Sequence, residues 1–297
     1  MTVSYLAFLI VIVIIGLMIA LFVHDMTITD RDIAWLAGGY KPEPSQAVIY
    51  RAYLSRHVKG RIIGGVIGIV VGIVAIIRWG GADWAISIGV TSTPSNILVW
   101  WLGGAIIGTL WAESYRLSRS RTPGIRRAGL DPRPSRPLAN VALTARIAAI
   151  AAVITGIGFL VIWSDTGAIP GIVFAIIVVC FAEATQWVIT NRPRPTTEPA
   201  MTVDGRLRNF AGSSLAWLEL AGAVLSLGVQ LAVWSAHLPQ QADLLSAVIA
   251  LVCFGLLIVT IAALVRSRMS APRHWQPLPF DDIDDDIYKG IPTKVAS

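Results

Sequence analysis

The sequence alternates between long apolar blocks and shorter polar segments. Seven blocks are each 17 to 22 residues long and continuously apolar, without the alternation of apolar and polar positions typical of barrel strands. A helix needs about 20 residues to cross a hydrocarbon core of roughly 30 Å. The pattern predicts an all-α, polytopic membrane helical bundle of seven transmembrane helices, at residues 5–23, 62–79, 94–114, 147–163, 168–188, 215–234 and 244–265.

Composition agrees with this class. Hydrophobic residues make up 55% of the chain and charged residues 14%, and the mean hydropathy is +0.68. A soluble domain carries about a quarter charged residues. We therefore expect residues 1–266 to form one transmembrane bundle.

The lysines and arginines indicate the orientation of the bundle. Of the 24 basic residues, 23 lie in segments 24–61, 115–146 and 189–214 or from Arg266 onwards, and Arg78 is the exception. Basic loops stay on the cytoplasmic side. Seven spans satisfy this alternation with the N-terminus outside and the C-terminus in the cytoplasm, whereas six or eight would place a basic loop outside. The excess of arginine over lysine suggests a bacterial plasma membrane.

An internal repeat relates the third and fifth spans. Each contains Ala-Ile-Ile, three further residues, and then an aromatic residue followed by Ala-Glu. The preceding span begins with Arg-Ile and ends in tryptophan in both cases, and a third pair of spans matches more loosely, with Leu256 in place of the glutamate. We interpret the bundle as an initial span followed by three tandem helical hairpins.

Small residues recur at four-residue spacing within three spans. This spacing lets helix backbones approach closely in lipid, so it predicts a compact bundle. The alternative is a sliding surface or hinge in a transporter. The positions are Gly64, Gly68 and Gly72, then Gly104, Gly108 and Ala112, then Ala148, Ala152 and Gly156.

Ionisable residues in or at the ends of spans form one candidate site. The repeat places each arginine at the same membrane end as a glutamate, and a carboxylate at that depth must be paired, protonated or hydrated. One interpretation is structural ion pairing. The other is a cytoplasm-facing polar vestibule for a proton, a cation or a basic segment. The predicted intramembrane polar cluster consists of Arg61, Glu113, Arg146, Glu183 and Glu219.

Residue positions argue against several chemistries. No lysine or histidine lies inside a predicted span, which disfavours a retinal Schiff base and a buried bis-histidine haem or copper centre. The sequence has no P-loop, dinucleotide-binding glycine motif, Cys/His metal spacing or nucleophile elbow. We expect no cofactor, no metal and no enzymatic activity.

The segments between spans have their own features. Residues 29–39 predict a short helix closed by glycine, and residues 45–59 predict a second helix that continues into the second span. The arginine-rich segments are expected to contact anionic lipid headgroups. No folded nucleic-acid reader is present, so nucleic acid is not an expected partner.

The tail, residues 267–297, is predicted to be a disordered acidic cytoplasmic segment. The alternative is a short linear contact segment that binds a cytoplasmic protein or the arginine-rich loops of the chain itself. The candidate contact residues are Asp281, Asp282, Asp284, Asp285, Asp286 and Tyr288.

Two functional hypotheses follow from the sequence. The first is a non-catalytic integral membrane protein, a scaffold or accessory subunit that packs with other membrane subunits of a bacterial complex. The second is a small transporter or channel with a cytoplasm-facing acidic vestibule. A water-filled path to the middle of the bilayer would favour transport, and a filled interior would favour the first hypothesis.

Overall fold

The computed structural model describes residues 28, 30–38, 42–79, 97–114, 138–191, 198–238 and 243–268. Regular structure in these ranges is helical throughout. A 3₁₀ turn over Thr166–Ala168 joins two of the helices. The α-helices are α1 (Asp30–Leu36), α2 (Pro44–Trp79), α3 (Ile97–Ser114), α4 (Ala139–Trp163), α5 (Ile169–Asn191), α6 (Glu198–Ala236) and α7 (Asp243–Arg268).

Five helical segments are long and apolar enough to cross a membrane: Pro44–Ala75, Ala139–Trp163, Thr166–Asn191, Thr202–Ala236 and Leu244–Arg268. The chain is therefore an integral membrane protein. Helix α3 occupies the predicted third span but, at 18 residues, is shorter than these five. The first predicted span, residues 5–23, lies outside the described residues, so the count of seven stays a prediction.

Helix α6 lies at the centre of the packed helices. In its most apolar stretch 61% of the residues are buried, against 22–33% in the other four spanning segments. It packs against α3, α4, α5 and α7. Leu215, Leu218 and Ala221 of α6 belong to a hydrophobic core that also contains Leu102 and Leu110 of α3.

A tight turn makes α4 and α5 a hairpin. Helix α4 ends at Trp163, and its C-cap Ser164 has a φ of 53°, in the left-handed region. Asp165 then begins the 3₁₀ turn, and its Oδ1 accepts a hydrogen bond of 2.7 Å from the backbone N–H of Gly167. Because this connection is so short, α4 and α5 run antiparallel in direct contact.

Glycines bring α2 and α3 into backbone contact. A methyl group on Gly64 would lie 2.2 Å from the carbonyl oxygen of Gly104, and one on Gly104 would lie 2.2 Å from the carbonyl oxygen of Gly64. Gly60 and Gly108 form a similar contact one turn along. No side chain fits between the helices at these points, which explains the small-residue spacing of both segments.

The chain divides into two compact units, residues 1–59 with 275–297 and residues 60–274. In the described part of the first unit, Asp30 of α1 accepts a hydrogen bond of 2.6 Å from Arg51 of α2. Gly38, with φ of 86°, follows α1, as the predicted glycine closure requires. Helix α2 is continuous from Pro44 to Trp79, so the helix predicted before the second span does run into it.

Helix α6 begins 17 residues before the predicted start of the sixth span at residue 215. Val203, Leu207 and Phe210 are buried along this extension at three- and four-residue spacing. Arg208 binds Asp204 one turn earlier and donates to the carbonyl of Ile189 near the end of α5. The extension is amphipathic, so a search for continuous apolar residues does not detect it.

The glycine contact gives a first prediction. Gly64→Ala puts a methyl group against the Gly104 carbonyl, and the overpacking should lower the free energy of unfolding by about 1–3 kcal/mol. Gly158→Ala is the matched control, since a methyl group there meets nothing within 4 Å. Thermal denaturation in detergent micelles should show a lower midpoint for Gly64→Ala alone. Equal midpoints for the two variants would contradict the described crossing.

Candidate functional site

Three of the five residues in the predicted polar cluster meet between α4, α5 and α6. Arg146 of α4 donates to Oε1 of Glu183 on α5 from both Nε, at 2.9 Å, and Nη2, at 2.5 Å. Its Nε also lies 3.8 Å from Oε1 of Glu219 on α6, which is an ion-pair distance rather than a hydrogen bond. The Arg146 guanidinium group therefore contacts two carboxylates on different helices.

The two carboxylates have different environments. The Glu183 side chain is 36% exposed and that of Arg146 is 42% exposed, whereas the Glu219 side chain is fully buried. An exposed pair is screened and contributes little, but a buried carboxylate depends on the positive charge beside it. The Arg146–Glu219 contact is therefore the more consequential of the two for stability.

The other two members, Arg61 and Glu113, are both buried. They follow Gly60 and Ala112, and a methyl group on Gly60 would lie 2.8 Å from the Ala112 Cβ. Arg61 and Glu113 thus occupy the same end of the α2–α3 pair, as the repeat predicts. Neither residue is without a partner.

Polar residues continue along one face of α6. Ser226 and Gln230 lie seven and eleven residues after Glu219, which is close to two and three whole turns. All three are buried. Ser226 donates to the Gly222 carbonyl at 2.9 Å, and Gln230 Nε2 donates to the Ala168 carbonyl at 3.0 Å. Gln230 Nε2 therefore ties this face of α6 to the α4–α5 turn, while Gln230 Oε1 is buried without a hydrogen-bond partner among the described residues.

A second polar contact lies at the opposite end of the same helices. His237, just after α6, has its Nε2 2.8 Å from Oδ2 of Asp165 in the α4–α5 turn. The Trp163 ring stacks on the His237 ring at a centroid distance of 4.5 Å and an interplanar angle of 20°. Phe159 stacks in turn on Trp163. These contacts fasten the end of α6 to the hairpin.

Alanines pack between these two polar ends. Ala145, Ala149 and Ala152 of α4 pack with Ala175 of α5 and Ala223 of α6, and all five are buried. Side chains this small allow close packing of the three helices. The α4–α5–α6 seam, defined by these alanines, is therefore a tightly filled contact with polar groups toward its two ends.

Sequence reasoning did not identify Gln230, Asp165 or His237 as members of a site. Gln230 is uncharged, so a search for ionisable residues passes over it, although its alignment with Glu219 on the helical net was a usable signal. Asp165 and His237 are 72 residues apart, and their pairing depends on how α4, α5 and α6 pack. The predicted tail residues Asp281, Asp282, Asp284, Asp285, Asp286 and Tyr288 lie outside the described residues.

Within the described ranges, no group of three or more His, Cys, Asp or Glu side chains is arranged to hold a metal ion. Comparisons with protein-family models, curated proteins and solved structures found no match.

The buried carboxylate gives a second prediction. Arg146→Met removes a guanidinium group that lies 3.8 Å from the buried Glu219 carboxylate and binds Glu183, and it should destabilise the protein by about 1–3 kcal/mol. Adding Glu219→Gln should restore part of this loss, because a neutral side chain depends less on the positive charge that was removed. Arg266→Met is a control at an exposed arginine of α7. If chemical denaturation in micelles shows no recovery in the double variant, Glu219 does not depend on Arg146.

The contact between Asp165 and His237 gives a third prediction. His237→Phe retains an aromatic ring for Trp163 but loses the hydrogen bond to Asp165, with an expected cost of about 0.5–1.5 kcal/mol. Asp165→Ala should cost more, because it also removes the acceptor for the Gly167 N–H. Thermal midpoints in micelles test this order, and a larger effect of His237→Phe would contradict the described turn.

Proposed function

We propose that this integral membrane protein is a non-catalytic scaffold or accessory subunit of a bacterial plasma-membrane complex, oriented with its N-terminus outside and its C-terminus in the cytoplasm. One observation carries the proposal. Arg146 binds Glu183, Ser226 and Gln230 Nε2 donate to backbone carbonyls, and alanines pack between the polar ends of the α4–α5–α6 seam. Such a seam holds helices together rather than conducting a solute.

The spacing of the polar groups supports this proposal. Glu219 and Ser226 are seven residues apart on α6, about 10 Å along the helix axis. A proton or ion would need water or further polar groups across that distance. Ala223 lies within the interval and is fully buried. The apolar Ala223 side chain offers a proton or an ion no polar partner in that interval.

Two helices are much longer than a bilayer requires. Helix α2 has 36 residues and α6 has 39, or about 54 Å and 58 Å at 1.5 Å per residue. A hydrocarbon core is only about 30 Å thick. Each helix therefore has a part available to the aqueous phase, which we assign to the cytoplasm from its basic residues. Partner subunits, anionic lipid headgroups and the acidic tail would meet the protein there.

A transporter with a cytoplasm-facing acidic vestibule is the second candidate. It is favoured by Glu219, whose side chain is fully buried beside an arginine that is 42% exposed. Proton or cation coupling often uses a buried carboxylate of this kind. In this case Glu219 would exchange its partner during transport, whereas a scaffold needs only a constant ion pair.

Purification and reconstitution of three forms of the protein separate the candidates: the full chain, Glu219→Gln, and a chain ending at residue 279. As a subunit, the full chain should co-purify with a defined partner at fixed stoichiometry, and tagging that partner should recover the chain. The Glu219→Gln variant should retain the partner. Loss of the partner from the shortened chain alone would assign the contact to the tail.

The opposite result has a distinct signature. Vesicles containing only this protein would show proton or cation flux by a pH-sensitive or cation-sensitive dye, and Glu219→Gln would abolish it. That outcome, together with no stoichiometric partner, would replace the subunit proposal with the transporter.

A further inference from the structure

An apolar groove of about 470 Å³ lies within the unit formed by residues 60–274, between α2, α3, α5 and α6. Its lining consists of glycine, proline, aliphatic and aromatic residues, and the indole N–H groups of Trp100 and Trp111 are the only polar side-chain atoms among them. The lining includes Ile67, Trp100, Gly103, Trp111, Phe174 and Leu225. This volume is within the range of about 300–1,000 Å³ found for small-molecule sites.

Gly103 lets Phe174 pack closely against α3 at the wall of the groove. A methyl group on Gly103 would lie 3.3 Å from the Phe174 ring and 4.0 Å from Leu225, both of which line the groove. Gly103 thus differs from Gly64 and Gly104, which would meet backbone atoms of the opposite helix. A side chain at position 103 would press against the Phe174 ring and displace this part of the groove wall.

The groove faces the region where lipid must lie. Ile63 and Ile67 of α2 and Trp111 of α3 line it and are 58%, 56% and 63% exposed. Such a lining offers water few hydrogen-bond partners. An empty groove would forfeit the dispersion contacts of its walls. Hydrocarbon is therefore the chemistry that suits it.

The length of the groove suits a single acyl chain. Its lining runs from Gly60 to Val71 on α2 and from Val99 to Trp111 on α3. Eleven and twelve residue steps correspond to about 16 Å and about 18 Å, close to half of a hydrocarbon core of roughly 30 Å. A groove of this length spans one leaflet, which is the extent of one phospholipid acyl chain.

We propose that this groove is a binding site for one acyl chain of a membrane phospholipid. The chain lies along α2 and α3 between Trp100 and Trp111, with Phe174 and Leu225 among the residues beside it. The headgroup stays outside the groove, because the lining has no charged side chain and only two indole N–H groups. The site is independent of whether the protein acts as a subunit or as a transporter.

Native mass spectrometry of the full chain with added dioleoyl phosphatidylcholine tests the proposal, since this zwitterionic probe reports chain binding without a net headgroup charge. Ile67→Trp replaces a lining side chain with a larger indole ring that should obstruct the groove, and Val70→Trp is its control. Both residues are exposed on α2, at 56% and 54%, and Val70 does not line the groove. Ile63→Trp with Val66→Trp forms a second matched pair.

The wild type should retain one tightly held phospholipid after extensive detergent washing. The two groove variants should bind the probe at least tenfold more weakly, and both controls should match the wild type. Absence of a retained lipid, or equal binding by all four variants, would overturn the proposal. So would a retained isoprenoid lipid instead of a phospholipid, or a dimer that the groove variants dissociate.

Discussion

The bundle depends on the need to satisfy polar side chains on one face of α6. Glu219, Ser226 and Gln230 project from that face, and none of them is stable against hydrocarbon without a partner. Helix α6 therefore lies inside the bundle, where Arg146 and the Ala168 carbonyl of the α4–α5 hairpin meet two of these side chains. Its central position follows from the cost of exposing these groups to lipid.

The remaining helices achieve close contact in two different ways. The α4–α5–α6 seam uses alanine, which leaves room for polar contacts at either end. The α2–α3 pair uses glycine, and its backbones touch along Gly60, Gly64, Gly104 and Gly108. Backbone contact closes this crossing, so no side chain is needed to fill it. A groove can therefore lie beside the crossing.

Much of the architecture follows from sequence periodicity. The apolar blocks predict the spanning helices. The repeated Arg-Ile and Ala-Glu motifs predict that Arg146 and Glu183 lie at the same end of the α4–α5 hairpin. The approach of Glu219 to the same arginine is a tertiary contact that no local pattern specifies. The start of α6 at Glu198 also differs from the predicted span, because its extension is amphipathic rather than uniformly apolar. Seven spans, their orientation and the hairpin repeat stay predictions, as does the role of the acidic tail.

The Asp165–His237 contact has a consequence for biosynthesis. The α4–α5 hairpin precedes α6 along the chain, so a ribosome completes Asp165 well before His237. In the proposed orientation, the turn crosses the membrane carrying a carboxylate whose later histidine partner has not yet been made. The Gly167 N–H is a local donor already present in the turn. Arrival of α6 then supplies the imidazole, so this contact forms only when the hairpin and the following helix assemble.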